Sequence, residues 1–148
     1  MPTLLGVDHI AIAVEDLDQA TDLWQQALGA RLGPRETVES QGVELQMLYA
    51  GETRVELLRP LSPESPVGRF LTKRGPGLHH LALAVPECGD ALEQARDAGL
   101  RTLSEEPVPG AHGTRVVFLH PGDTGGVLTE LVEGGEGPWS SPQQETKA

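Results

Sequence analysis

Two histidines and two glutamates recur at matched places in a repeated pattern, and together they could bind a metal. His9 heads the run His9-Ile10-Ala11-Ile12-Ala13-Val14, and His80 heads His80-Leu81-Ala82-Leu83-Ala84-Val85. Each run reads histidine, branched aliphatic, alanine, branched aliphatic, alanine, valine, the mark of an internal duplication. Each is answered by a glutamate among apolar residues: Glu56 in Val55-Glu56-Leu57-Leu58 and Glu130 in Leu128-Thr129-Glu130-Leu131-Val132. The separations are similar, 47 residues from 9 to 56 and 50 from 80 to 130. Two imidazoles and two carboxylates suit a first-row divalent ion. Two Glu⁻ against M²⁺ form a neutral shell, which lessens the cost of burying the carboxylates. Octahedral coordination by four protein ligands would leave two positions for water or substrate. Singly, a strand histidine is usually structural and a strand glutamate usually faces water. The repeated pairing is what makes His9, Glu56, His80 and Glu130 one candidate metal site shared between the halves.

The elements that must position these residues follow from local pattern. Alternation over Asp8–Val14 predicts a strand with Ile10, Ile12 and Val14 on one face and His9, Ala11 and Ala13 on the other. The bulky face should pack on a helix, and the alanine face leaves the room that a site-lining strand needs. Asp16 and Gln19 form a capping-box-like helix start. Leu17, Ala20, Leu23, Trp24, Ala27 and Leu28 then share an apolar helix face, which Gly29 ends. Trp24 reads as core. Strands are expected around Ala30–Val38, Val43–Tyr49 and Thr53–Arg59, with turns at Gln41-Gly42 and Gly51-Glu52. This makes a βαβββ module over residues 5–59.

Residues 60–78 form a connector. Ser65-Pro66 starts a short helix with Val67, Phe70 and Leu71 on its apolar side and Lys73-Arg74 near its end. Gly75-Pro76-Gly77 stops it. The second module, 79–133, repeats the first, with a strand at His79–Val85 and a helix through Ala91, Leu92, Ala95 and Ala98 to Gly99. Further strands are expected at Arg101–Leu103, Arg115–His120 and Val127–Glu133. The glycine-, proline- and serine-rich tail, 134–148, has no periodicity and reads as disordered. Residues 1–133 are thus one domain. The fold class is α+β: two paired βαβββ modules forming a curled eight-stranded mixed sheet around a central metal cleft. His79 should point away from His80 and serve packing or hydrogen bonding. His120, beside Pro121, reads as structural, and His112 as an exposed loop histidine.

Bulk properties exclude several classes. A formal charge of −11 argues against nucleic acid or an anionic membrane as partner. Aromatic residues, at 3%, are too scarce for base-stacking platforms. No apolar run approaches the ~20 residues that span a bilayer, and no signal segment opens the chain. A single cysteine, Cys88, excludes an internal disulfide framework and fits a reducing compartment, so the expected location is cytoplasmic.

The residues also carry a family resemblance. The chain resembles the vicinal oxygen chelate (glyoxalase/bleomycin resistance/dioxygenase) superfamily, and within it the methylmalonyl-CoA epimerase family. The matching stretches include Asp8-His9-Ile10, Val55-Glu56-Leu57-Leu58-Arg59-Pro60 and Ser62-Pro63-Glu64-Ser65-Pro66. Further on are Gly77-Leu78-His79-His80, Gly110-Ala111-His112-Gly113, Phe118-Leu119-His120-Pro121 and Gly125-Gly126-Val127-Leu128-Thr129-Glu130-Leu131. The resemblance implies that His9, Glu56, His80 and Glu130 hold one divalent ion per chain, Co²⁺ foremost, with Mn²⁺, Ni²⁺ and Zn²⁺ as alternatives. It implies an acyl-CoA substrate and interconversion of (2R)- and (2S)-methylmalonyl-CoA through a metal-stabilised enolate. Glu130 would be one acid–base group. Inversion calls for a second, and here the chain departs from the pattern, because Leu45 stands where some members carry a glutamate. Glu44 is adjacent but should point to the opposite face, so either another group such as water or His112 supplies the second proton, or the activity differs. Arg69, Lys73 and Arg74 are candidates for the CoA phosphates, with a solvated helix face the simpler reading. The fold family often forms dimers, so a homodimer is expected.

Three rivals share the fold. A glyoxalase I type lactoylglutathione lyase would use the same ligands. An extradiol dioxygenase-like Fe(II) site wants two histidines and one carboxylate, and Glu56 is one too many. A non-catalytic ligand-binding protein commonly needs no metal, so the complete ligand set weighs against it.

Overall fold

The structure is a computed structural model that describes residues 4–135 and 137. Among the described residues, eight strands and three α-helices follow one another: β1 (Gly6–Ala13), α1 (Leu17–Asp22), β2 (Arg31–Val38), β3 (Val43–Ala50), β4 (Thr53–Pro60), α2 (Pro66–Arg74), β5 (Gly77–Ala84), α3 (Cys88–Asp97), β6 (Val108–Pro109), β7 (Arg115–Leu119) and β8 (Thr129–Glu133). The strands form one mixed sheet in the order β2-β3-β4-β1-β5-β8-β7-β6. The α+β class expected from the alternating patterns is the one observed. None of the helices among the described residues is long and apolar enough to cross a membrane.

The chain divides into two compact units, His9–His80 and a second made of Met1–Asp8 with Leu81–Ala148. In the unit His9–His80, β1 runs parallel to β4, with Ala11 opposite Glu56 and Ala13 opposite Leu58. The long antiparallel β2–β3 and β3–β4 ladders extend the sheet from there. Ile12, as its alternation requires, packs toward α1 with Leu17, Ala20 and Trp24, over Leu48, Val55 and Leu57. Ala11 and Ala13 on the other face are wholly buried. Asp16 caps α1 as expected, accepting the amide of Gln19 at 2.9 Å.

The helix departs from its expected face at Leu23, where it widens into a π-helical segment, Leu23–Ala27. Leu23 lies at the edge of the apolar stripe even in a regular helix. The wider turns then rotate Leu28 off that stripe altogether, and the two leucines are 56% and 65% exposed. Trp24 stays packed on the core.

The helix α2 is seated by its own capping serine. Ser65 Oγ accepts the amide of Gly68 at 3.2 Å and donates to the carbonyl of Ser62 at 2.8 Å. This draws the helix so close to the Ser62-Pro63 backbone that a Cβ on Gly68 would lie 2.3 Å from Ser62 O and 2.7 Å from Pro63 O.

In the second unit β5 pairs parallel to β8, with Ala82 opposite Glu130, and β8 pairs antiparallel to β7. Val85, Cys88, Ala91, Leu92 and Ala95 bury α3 against Val117, Leu119 and Leu131. The strand expected at Arg101–Leu103 reduces to one bridge, Thr102 to Leu119. A two-residue strand, β6, takes the rest of that β7 edge, with Val108 opposite Val116 and Pro109 opposite Arg115. The reason lies in α3: the Arg96 guanidinium donates to Thr102 Oγ1 and to the carbonyls of Ser104 and Glu105, at 3.1–3.2 Å, and so bends the chain off the edge. The tail expected to be disordered lies outside the described residues except for Gly134, Gly135 and Gly137.

The Gly68 contact yields a prediction with a reversed sign. Alanine normally favours a helix over glycine by about 1 kcal/mol. Here Gly68→Ala should instead destabilise the protein by about 1–3 kcal/mol, the usual cost of overpacking, as read by urea unfolding. A stabilised Gly68→Ala would contradict the close seating of α2.

Candidate functional site

Three of the four predicted ligands meet within the unit His9–His80. His9 on β1, Glu56 on β4 and His80 on β5 offer donor atoms that all lie within 4.8 Å of one another. His9 Nε2 is 3.3 Å from His80 Nε2 and 3.4 Å from Glu56 Oε1. All three are buried, at 4%, 4% and 6% exposure for His9, Glu56 and His80. The local cause is register. His9 precedes Ala11 by two residues on one face, and Ala11 stands directly opposite Glu56 in the parallel ladder. The alanines keep that face free of bulk, so histidine and carboxylate reach each other over them.

The donor set fits a divalent ion. Two donors ~2.1 Å from a shared ion stand about 3.0 Å apart at a right angle and about 3.4 Å apart at the tetrahedral angle, and the two separations from His9 Nε2, 3.3 and 3.4 Å, fall in that range. Protonation fits as well. Burial first, then the nearby His9 and His79, hold the His80 pKa well below the ordinary histidine value. His80 is therefore neutral at physiological pH and has a lone pair to give.

The remaining predicted residues fall as follows. Glu130, on β8 in the second unit, is 2% exposed and lies opposite Ala82 on β5 and Phe118 on β7. Leu45 is wholly buried. Glu44 beside it bonds Arg59 Nε at 3.1 Å, away from Leu45's side of the strand. His112 is exposed, in a tight turn with φ 57°. His120 Nδ1 accepts the amide of Gly122 at 2.9 Å, the structural role expected of it. Arg69, Lys73 and Arg74 are exposed along α2.

His79 departs from expectation. Instead of turning away, its Nδ1 lies 2.9 Å from Nδ1 of His80. Its ring packs edge-on against Phe70 of α2, with centroids 5.0 Å apart. Burial pushes its pKa down to about 4, so it too is neutral. Strand alternation separates the two Cβ directions, but it does not forbid two imidazoles from folding toward each other. The doubled histidine was the only sequence signal for the pair.

The adjacent strands β4, β1 and β5 thus present one buried histidine–glutamate–histidine set. The family model of the Glyoxalase/Bleomycin resistance protein/Dioxygenase superfamily matches residues 8–118. The chain belongs to this superfamily. It is 40% identical over 128 residues to the mitochondrial methylmalonyl-CoA epimerase of Bos taurus, covering 86% of this chain and 73% of that one. It is also 40% identical over 129 residues to an ethylmalonyl-CoA/methylmalonyl-CoA epimerase of Cereibacter sphaeroides, with 86% and 96% covered. Among solved structures it superposes on a variant of Streptomyces coelicolor methylmalonyl-CoA epimerase bound to 2-nitronate-propionyl-CoA. There the TM-score is 0.86 at 38% identity, over 88% of this chain and 98% of the other.

Loss of one imidazole should register directly in metal retention. His80→Ala is expected to weaken binding of added Co²⁺ by more than the roughly 10–100-fold that follows loss of an outer-shell partner. Competition against a chelator measures this. An unchanged affinity would remove His80 from the site.

Proposed function

We propose that this protein is a metal-dependent epimerase that interconverts (2R)- and (2S)-methylmalonyl-CoA. The observation that carries the reading is the intact buried set His9–Glu56–His80 in a chain about two-fifths identical to relatives named for that activity. His9, Glu56 and His80 would hold one divalent ion per chain, Co²⁺ foremost among Co²⁺, Mn²⁺, Ni²⁺ and Zn²⁺. Glu130 completes the set in this proposal. The register supports it: Ala82 lies opposite Glu130 two residues after His80, as Ala11 lies opposite Glu56 two residues after His9. A bound divalent ion supplies Lewis-acid stabilisation of the negative charge that develops when a proton leaves the carbon beside a thioester carbonyl.

The chain's own groups do the rest. His80, held neutral by its burial, adds no positive charge of its own beyond the ion's. Glu130 is assigned the transfer of the C2 proton on one face. Neither Leu45, an aliphatic side chain, nor Glu44, bonded to Arg59, supplies the second group. That role falls to water or to His112. The exposed cations Arg69, Lys73 and Arg74 offer the phosphates of the CoA tail a place along α2.

The proposal treats residues 1–133 as one working domain, cytoplasmic and homodimeric. The lone thiol, Cys88, is buried and unpaired by any disulfide, in keeping with a reducing compartment. Exposed Leu23 and Leu28 are apolar surface that a second copy could cover.

Incubation with methylmalonyl-CoA in D₂O tests the reaction. Deuterium should enter at C2 in the presence of Co²⁺, and exchange should fall at least about 100-fold in Glu130→Gln, in line with the loss of a general acid–base group. Absence of exchange, with turnover of a glutathione hemithioacetal in its place, would favour a glyoxalase I type isomerase.

A further inference from the structure

The contact between His79 and His80 poses a proton question. Their Nδ1 atoms are 2.9 Å apart, a hydrogen-bond distance. Two bare nitrogens facing each other would repel, so one ring must donate. A ring that gives a lone pair to a metal carries its one proton on the other nitrogen. If His79 donates, the proton of His80 is left on Nε2, the atom that faces His9 Nε2 at 3.3 Å. That arrangement caps the donor the metal needs. If His80 donates, its Nε2 holds a lone pair directed into the His9–Glu56 set.

We propose that His79 is a positioning residue, whose Nδ1 accepts the Nδ1–H of His80 and so holds His80 in the tautomer that leaves Nε2 open to a metal ion. The inference rests on the metal reading of the site, since only that reading selects between the two arrangements. Ligating histidines almost always give their second N–H to an outer partner, which fixes both tautomer and ring orientation. In this chain the partner is the preceding residue.

His79 is held in turn by parts of the fold that touch no ligand. Its ring lies edge-on to Phe70, at 5.0 Å, and to the ring of His80, at 5.1 Å. Phe70 comes from α2, the helix seated on the Ser62-Pro63 backbone through Ser65 and Gly68. A line of contacts thus runs from the connector helix through Phe70 and His79 to the donor side of His80. The connector has a role in the site beyond joining the two halves.

Two substitutions separate acceptor from packing. His79→Phe keeps an aromatic ring against Phe70 and removes the acceptor, whereas His79→Asn keeps an acceptor near the Nδ1 position. On the full-length apoprotein, with Co²⁺ alone as probe, His79→Phe should weaken binding by about 10–100-fold, and His79→Asn should recover most of the loss. Long-range ¹H–¹⁵N spectra of the metal-free wild type should show the proton of His80 on Nδ1. A proton on Nε2 overturns the proposal whether or not the variants fold. So does an unchanged Co²⁺ affinity in a folded His79→Phe, or a His79→Asn as weak as His79→Phe. A wild type that binds no Co²⁺ fails the metal reading itself. That failure is distinct from a wild type that binds Co²⁺ with no help from His79.

Discussion

A carboxylate and two imidazoles packed together inside a β-sheet constrain everything around them. Glu56 is 4% exposed, on a strand whose neighbours are Val55 and Leu57. An ionised carboxylate there is costly unless it is paired. The partner at hand is His9, 3.4 Å away, and reaching it requires parallel pairing of β1 with β4, at a register that sets Ala11 beside Glu56. Parallel strands need a crossover. The α1 segment and the β2–β3 ladder are what that crossover contains. The small residues on the histidine face, the bulky ones on the helix face and the order of strands all serve one local requirement. A charged group has to meet its partner where water is scarce.

The same requirement explains why some features were legible in the sequence and others were not. Alternation and turn residues sufficed for β1 to β5 and for α1 to α3, because each of those signals is local. The His–Ala–Glu register was legible through duplication: what one half leaves ambiguous, the other repeats. The pieces that differ are those decided by side-chain contacts and local backbone geometry that a residue pattern does not encode. Arg101–Leu103 has the composition of a strand, yet the Arg96 side chain gathers the next carbonyls and bends the chain away. Leu28 falls on the apolar stripe of an ideal helix, and the π-helical segment Leu23–Ala27 just before it rotates it outward. His79 was assigned its direction by pleat alone, when ring torsions were enough to bring it back to His80.

The two halves share a plan without being equal. In one, the carboxylate strand β4 is flanked by the long ladder of β3, and Leu45 and Met47 fill its interior. In the other, β8 is flanked by the shorter β7, whose outer edge is divided between Thr102 and β6. The loop between β6 and β7 carries His112 in a left-handed conformation, uncommon for a residue other than glycine. Duplication repeats the alanine–glutamate register, and divergence gives the two halves different surroundings.

In the proposed reaction, such asymmetry bears on how inversion would proceed. Glu56 and Glu130 occupy equivalent registers, but His9 and His80 do not have equivalent surroundings. His80 alone follows another histidine, braced by Phe70 from a connector helix with no counterpart in the other half. His9 follows Asp8, itself buried. His79 lies against His80, whereas the residue before His9 is a buried acidic side chain. A duplicated register can thus keep two equivalent alanine–glutamate pairs while the residues beside its histidines differ.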